Sequence, residues 1–194
     1  MKEMESMKKY APIPALALLA GCLTASQPER ADWNIECTDR AAQVAEKPKF
    51  GVARLILVEL RAPYNVRDIA VLRANGSIAF DPCNGYASAP VQLVKGVAME
   101  SLERSGLFKA VVGSGSTADA DVDAELAVTR LALDCREEGV RRAVAALSLR
   151  LVRAHRIIDV VTGEGAADAS QTSDFSAAFS AAVTDAFSEA LRKL

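Results

Sequence analysis

The chain has 194 residues, 51% of them hydrophobic, with 23 basic against 25 acidic side chains. That is the length of one domain, and the near-balance of charge excludes the basic face or stripe of a nucleic-acid binder. One histidine and four cysteines leave little material for a metal centre or an activated nucleophile.

The N-terminus carries an address. Lys8 and Lys9 precede a short apolar run, Ala11 to Ala20, about half the length a membrane-spanning helix needs. A basic flank, a short apolar core and a small-residue exit make a secretory signal and not a span, and Met7 reads as a more typical start than Met1. The exit, Leu18-Leu19-Ala20-Gly21-Cys22, resembles the lipobox of bacterial lipoprotein precursors. The resemblance implies cleavage before Cys22, with a diacylglycerol on its thiol and an acyl chain on its new amino group. Residues 1–21 are then signal, 22–31 a polar lipidated tether and 32–194 the functional domain, with a net charge near −3. Anchoring falls to the acyl chains, each buried CH₂ contributing about 0.8 kcal/mol. Export places Cys37, Cys83 and Cys135 where disulfides persist. Three thiols allow three alternative single bridges or none; Cys83–Cys135 is preferred because both lie at expected strand ends.

Asp32 to Cys37 alternates polar and apolar, the period of a half-buried strand, and contains Trp33, the only tryptophan. Thr38 to Lys49 reads as a short helix or a loop. Val52 to Leu60 holds the continuous run Leu55-Ile56-Leu57-Val58, which suits a central strand covered on both faces. Ile69–Arg73 and Ser77–Asp81 flank Asn75-Gly76, a type I′ hairpin signal, and Pro82 and Gly85 are expected to end that hairpin. A helix over about 89–105 opens at Ser88-Ala89-Pro90, with Ser88 as cap, and stops at Gly106. Leu107–Val112 is a short strand and Gly113–Thr117 a loop.

Val122 to Val128 alternates cleanly, and a phase slip near Arg130 predicts a bulge. After the Glu137-Glu138-Gly139 turn, Ala143–Val152 is a long strand, interrupted at Arg153-Ala154-His155-Arg156. Ile157–Val161 follows, then an expected turn at Thr162-Gly163-Glu164-Gly165 and a weak strand to about Ser170. The last helix, about 175–192 and capped by Ser173 or Asp174, carries Phe175, Phe179, Val183, Phe187 and Leu191 at four-residue spacing. The sum is a single three-layer α/β domain with a mixed sheet and at least two packed helices.

No enzyme signature survives inspection. His155 lies between cationic neighbours with no adjacent carboxylate, and there is no G-x-S-x-G elbow. Gly113–Thr117 lacks the lysine of a phosphate loop. Asp119-Ala120-Asp121-Val122-Asp123 opens like a calcium loop, but Ala124 and Arg130 stand where glycine and glutamate are required.

One order of features is informative. After the lipobox come the Trp33 strand, Leu55-Ile56-Leu57-Val58-Glu59-Leu60 with Pro63, and Ile69-Ala70-Val71-Leu72-Arg73. Then follow Tyr86-Ala87-Ser88-Ala89-Pro90 opening a helix, and Leu102-Glu103-Arg104-Ser105-Gly106-Leu107-Phe108-Lys109-Ala110-Val111. Together they resemble the ABC-type transport auxiliary lipoprotein family, with Tyr86 where that family usually has tryptophan. The resemblance implies a fold like the N-terminal domain of TolB. It also implies a non-enzymatic lipoprotein without cofactor, facing the periplasm from the outer membrane. Its implied partners are a mammalian-cell-entry (MCE) substrate-binding protein and an ABC permease and ATPase that move lipids or hydrophobic compounds; a homo-oligomer is compatible with this. Leu23 after the lipidated cysteine, in place of an aspartate retention signal, points to the outer membrane. The alternatives are an envelope-assembly or scaffold lipoprotein and, last, a periplasmic enzyme. Cargo and docking surface are not legible.

Overall fold

The computed structural model describes residues 29–171 and 174–194, so the signal, Cys22 and Ser173 lie outside the described residues. The strands are β1 (Ala31–Trp33), β2 (Phe50–Leu60), β3 (Asp68–Arg73), β4 (Ile78–Tyr86), β5 (Phe108–Gly113), β6 (Val122–Cys135), β7 (Arg142–Arg153) and β8 (Arg156–Asp168). The helices are α1 (Pro90–Arg104) and α2 (Phe175–Leu191).

Everything is arranged about β6. Val122, Ala124, Leu126 and Val128 point to one face, and a bulge between Val128 and Arg130 keeps Leu131 and Leu133 on that same face. One edge of β6 pairs antiparallel with β7, which pairs antiparallel with β8. The other edge is shared: β2 runs parallel to its first half and β3 to its last residues. Outside β2 lies β5, and outside β3 lie β4 and β1, giving an eight-stranded mixed sheet.

Both helices pack on the buried face of this sheet and touch each other, α1 over β2 and β5, α2 over β7 and β8. The fold is the expected mixed α/β arrangement of a sheet with two packed helices, but with both helices on one face the described residues make two layers and not the expected three. Phe175, Phe179 and Phe187 are fully buried, as the four-residue ridge requires. The opposite side of α2 is buried too, because the segment 34–42 crosses it, extended to Thr38 and then turning. Ser176 Oγ donates to the Asn34 carbonyl (2.8 Å), and Ser180 Oγ accepts from the Glu36 amide (3.0 Å). Thr184 Oγ1 accepts from the Thr38 amide (3.2 Å), and Ser188 Oγ accepts from the Ala42 amide (3.2 Å). From Asn34 to Thr38, four helical residues advance about 6 Å and two extended residues about 6.6 Å, so the first three hydroxyls stay in step with the strap; a turn closed by the Ala41 amide on the Thr38 carbonyl then brings Arg40 and Ala42 to Ser188.

Several local expectations are corrected. The strand begun at Asp32 stops at Trp33, since β4 offers β1 only Asn84–Tyr86; beyond it the chain becomes the strap, and 38–49 is loop. β2 is not covered on both faces: Ile56 is an extra residue in a bulge and Leu57 faces outward, 48% exposed. Pro82 and Gly85 do not end β4, which continues to Tyr86 through an irregularity where Asp81 Oδ1 takes the Cys83 and Asn84 amides (2.9 and 3.1 Å). Helix α1 is capped by the backbone of Ala89 and not by Ser88, and Asp174 precedes α2 without a side-chain cap bond. Residues 162–165 form no turn. They lie within β8, and their glycines answer a close approach: a Cβ on Gly163 would fall on the Ala186 carbonyl oxygen and 2.8 Å from the Ala190 nitrogen, and one on Gly165 would meet Ala182 in the same way.

Candidate docking face

The second face of the sheet carries no helix among the described residues, and the pairing register lays its side chains out in rows. One row runs Val160–Arg150–Glu125–Leu57 across β8, β7, β6 and β2. Glu125 and Arg150 approach to 3.9 Å between Val160 and Leu57, which are about half exposed. Two shorter rows, Ala166–Val144–Ala132 across β8, β7 and β6 and Ala70–Phe80 across β3 and β4, are apolar; Ala132 and Ala70 are fully buried, and the second row ends on Phe80 at 45% exposure. Ile157 opposite Val152, and Ile78 opposite Leu72, extend the exposed apolar surface at diagonal corners. A sheet that buries one face with alanine, leucine and phenylalanine yet leaves aliphatic and aromatic side chains on the other has the composition of a binding surface.

A cleft of about 360 Å³ at one end of this face is lined by Asp134, Arg136, Glu137, Val140 and Arg142. Asp134 accepts from Arg136 Nη2 at 2.6 Å, and that hydrogen bond holds its carboxyl below the usual carboxylate range. Asp134 is paired with Arg136, and Glu137 lies 4.0 Å from Arg142. The cleft's chemistry is that of a polar recognition surface.

The residues singled out from sequence are dispersed. His155 occupies the β7–β8 turn at φ 63° and has no acidic partner within ion-pair distance among the described residues. Cys37, Cys83 and Cys135 are free thiols, which corrects the Cys83–Cys135 pairing. Cys135 pairs in register with Arg73, whereas Cys83 lies in the irregular stretch of β4 between the Ala70–Phe80 and Asp68–Gly85 pairs. With β3 lying between them, two strand spacings of about 4.8 Å alone exceed the 4.4–6.8 Å between bridged Cα atoms. Asp121 of the calcium-like run is engaged with the Val52 amide (2.6 Å). Among the described residues no three His, Cys, Asp or Glu side chains gather as a metal site, and no helix is long and apolar enough to cross a membrane. Tyr86 is buried edge-on against Phe179, its ring centroid 5.6 Å away, with a hydroxyl that finds no partner and a phenol pushed upward by burial. The position that resembles the family's tryptophan is thus a core anchor.

No family model and no curated protein matches the sequence. Solved structures do. The chain is similar to the crystal structure of a Xanthomonas campestris protein of family model DUF330, with TM-score 0.62 and 17% identity, over 87% of this chain and 94% of that one. A crystal structure described only as an uncharacterized protein gives TM-score 0.54 and 9% identity, over 78% and 95%. The PelC dodecamer from Paraburkholderia phytofirmans gives TM-score 0.42 and 11% identity, over 83% and 94%. At these identities the likeness is one of architecture, and the mixed sheet bearing two helices on one face is the fold this chain shares with the DUF330 protein.

Proposed function

We propose that the chain is a lipid-anchored periplasmic docking protein of the outer membrane, a non-enzymatic accessory component of an ABC-type, MCE-associated system that moves lipids or hydrophobic compounds across the envelope. The observation that carries this reading is the helix-free sheet face, where Leu57, Phe80, Ile157 and Val160 stand exposed on a folded core. The lipobox-like segment ending at Cys22 and the fold shared with a DUF330 protein support it. Isolating the full-length protein from gently solubilised membranes should recover an MCE-type or ABC-transporter chain with it, and Leu57→Asp with Val160→Asp should abolish that recovery while the domain stays folded. Cys22→Ser should release the protein from the membrane fraction. Recovery of neither transporter chain, or a Cys22→Ser protein that stays membrane-bound and active, overturns the reading.

A further inference from the structure

We propose that the helix-free face of the sheet is its own complement, and that a second copy of this chain covers it about a two-fold axis. Two sheets stack face to face about 10 Å apart, with their strands within about 30° of one another. An axis lying in the interface, along the boundary between β6 and β7, meets that condition. It turns every row end for end, so that β7 lies over β6 of the second copy and β8 over its β2 and β3.

Under that rotation the charges meet opposites. In the row Val160–Arg150–Glu125–Leu57, Arg150 falls opposite Glu125 of the second copy, Glu125 opposite its Arg150, and Val160 opposite its Leu57. Near the other end of the face, Arg142 falls opposite Asp134. Between these rows, Glu164 stands at the β8 end of the row through Ala146 and Arg130. Arg61 follows the last residue of β2, its amide on the Val128 carbonyl, and lines the same hollow as Ala127 and Ser148. The rotation brings Glu164 beside Arg130 and Arg61. Neither Glu164 nor Arg61 has an ion partner in its own chain among the described residues. Glu59 meets Thr162, Asp123 meets Val152 and Asp168 meets Leu72, so no row sets like charges against one another. Complementary potentials fix partner and register, and here the partner they fix is the same surface.

The overlap is large enough to hold. Four strands at about 4.8 Å, and the stretch of β7 from Val152 to Arg142 at about 3.3 Å per residue, make a footprint of about 600 Å² per copy and about 1,200 Å² in all, the lower end of stable interfaces. The pairing would stack two such sheets between outer layers of helices. Leu57 and Val160 are the side chains that the docking reading gives to a transporter chain. As a cover for that face the pairing rests on that reading: it occupies the face in the free protein, and a docking chain takes the place of the second copy.

The test is sedimentation equilibrium of the full chain carrying Cys22→Ser, which should be dimeric. Glu125→Arg and Arg150→Glu should each weaken association at least tenfold, because either change sets two like pairs against one another across the axis. An equimolar mixture of the two variants should regain the dimer, since every arginine then faces a glutamate of the other copy. Each chain in that mixture still carries the like pair that replaced its own 3.9 Å contact, so repair within a chain cannot produce the rescue. The N-terminal apolar run is common to every variant and cannot produce the pattern either. A monomeric parent, single variants that associate as the parent does, or a mixture that stays monomeric would each overturn the proposal. If it fails while transporter chains still co-purify with the protein, the docking function stands and only the pairing falls; rescue in the mixture with no transporter chain recovered from membranes keeps the pairing and removes the docking.

Discussion

Gly163→Ala and Gly165→Ala should each destabilise the domain by about 3 kcal/mol, at the upper end of overpacking effects. The magnitude follows from what a methyl group would meet. At Gly163 it lands on the Ala186 carbonyl oxygen, with the Ala190 nitrogen at 2.8 Å; at Gly165 it lands on the Ala182 carbonyl oxygen, with the Ala186 nitrogen at 2.7 Å. These are backbone atoms of a helix, so no side chain can swing aside. Relief requires α2 to withdraw from β8, which loosens Phe179, Val183 and Phe187 along its length. One withdrawal relieves both collisions, so the double variant should lose less than the sum of the singles. Gly96→Ala supplies the control: its Cβ would meet nothing within 4 Å, and it lies inside α1, so helix propensity predicts a gain of about 0.5–1 kcal/mol. Urea denaturation followed by far-UV circular dichroism measures all four. A Gly163→Ala or Gly165→Ala protein within 0.5 kcal/mol of the parent would refute the close-approach account and return these residues to a turn.

Tyr86→Phe should stabilise by about 1 kcal/mol, since it removes a buried hydroxyl that has no partner and keeps the edge-on contact with Phe179; a loss in the same denaturation assay would mean the hydroxyl is satisfied. Thr184→Val keeps shape but orphans the Thr38 amide, a loss of about 1–2 kcal/mol, with faster hydrogen exchange at Thr38 than at residues of β6 as its signature. Glu189 is held below the usual carboxylate range by the Lys193 hydrogen bond first and the Glu164 amide second. A depressed carboxylate contributes stability above its unfolded pKa and loses it as pH falls through the folded value. Both partners are solvent-exposed, so Glu189→Gln should flatten the acid limb of stability against pH by only a few tenths of a kcal/mol.

Periodicity revealed which residues of β6, β7 and α2 face the core, because apolar spacing records a buried face directly. It could not show whether the other face is covered. Leu55–Val58 reads as a run buried on both sides, yet the bulge at Ile56 and the helix-free second face leave Leu57 exposed. Glycine carries two meanings in sequence, and at 163 and 165 the turn meaning was the wrong one; Ala182, Ala186 and Ala190 at helical spacing were the complementary signal of close packing. The strap escaped notice for a similar reason. Ser176, Ser180, Thr184 and Ser188 recur every four residues beside the phenylalanine ridge, but a polar stripe on a helix is normally wet, and only a neighbouring backbone makes it dry. Cys135 ends β6 as expected, but Cys83 lies inside β4 and not at its end, and the register sets β3 between the two thiols.

The strap also bears on how the N-terminal side of the domain is held. Arg30 pairs with Asp32 and Asp68, while Arg67 reaches Asp32 from the next loop. The chain then passes through β1, whose three residues pair in parallel with β4, and Trp33 Nε1 donates to Asn84 Oδ1 at 2.9 Å. After that come the hydroxyl contacts along α2 and, at Lys49 and Phe50, two amides bonded to the Leu107 carbonyl (2.9 and 3.0 Å). A pull from the N-terminal side would therefore be met in sequence by exposed ion pairs, a short strand and a side-chain ladder before it reached β2 and the core. Each of these is individually modest, with exposed ion pairs at about 0–1 kcal/mol and hydrogen bonds near 1, and their serial arrangement lets a local disturbance at that end be absorbed before the core opens.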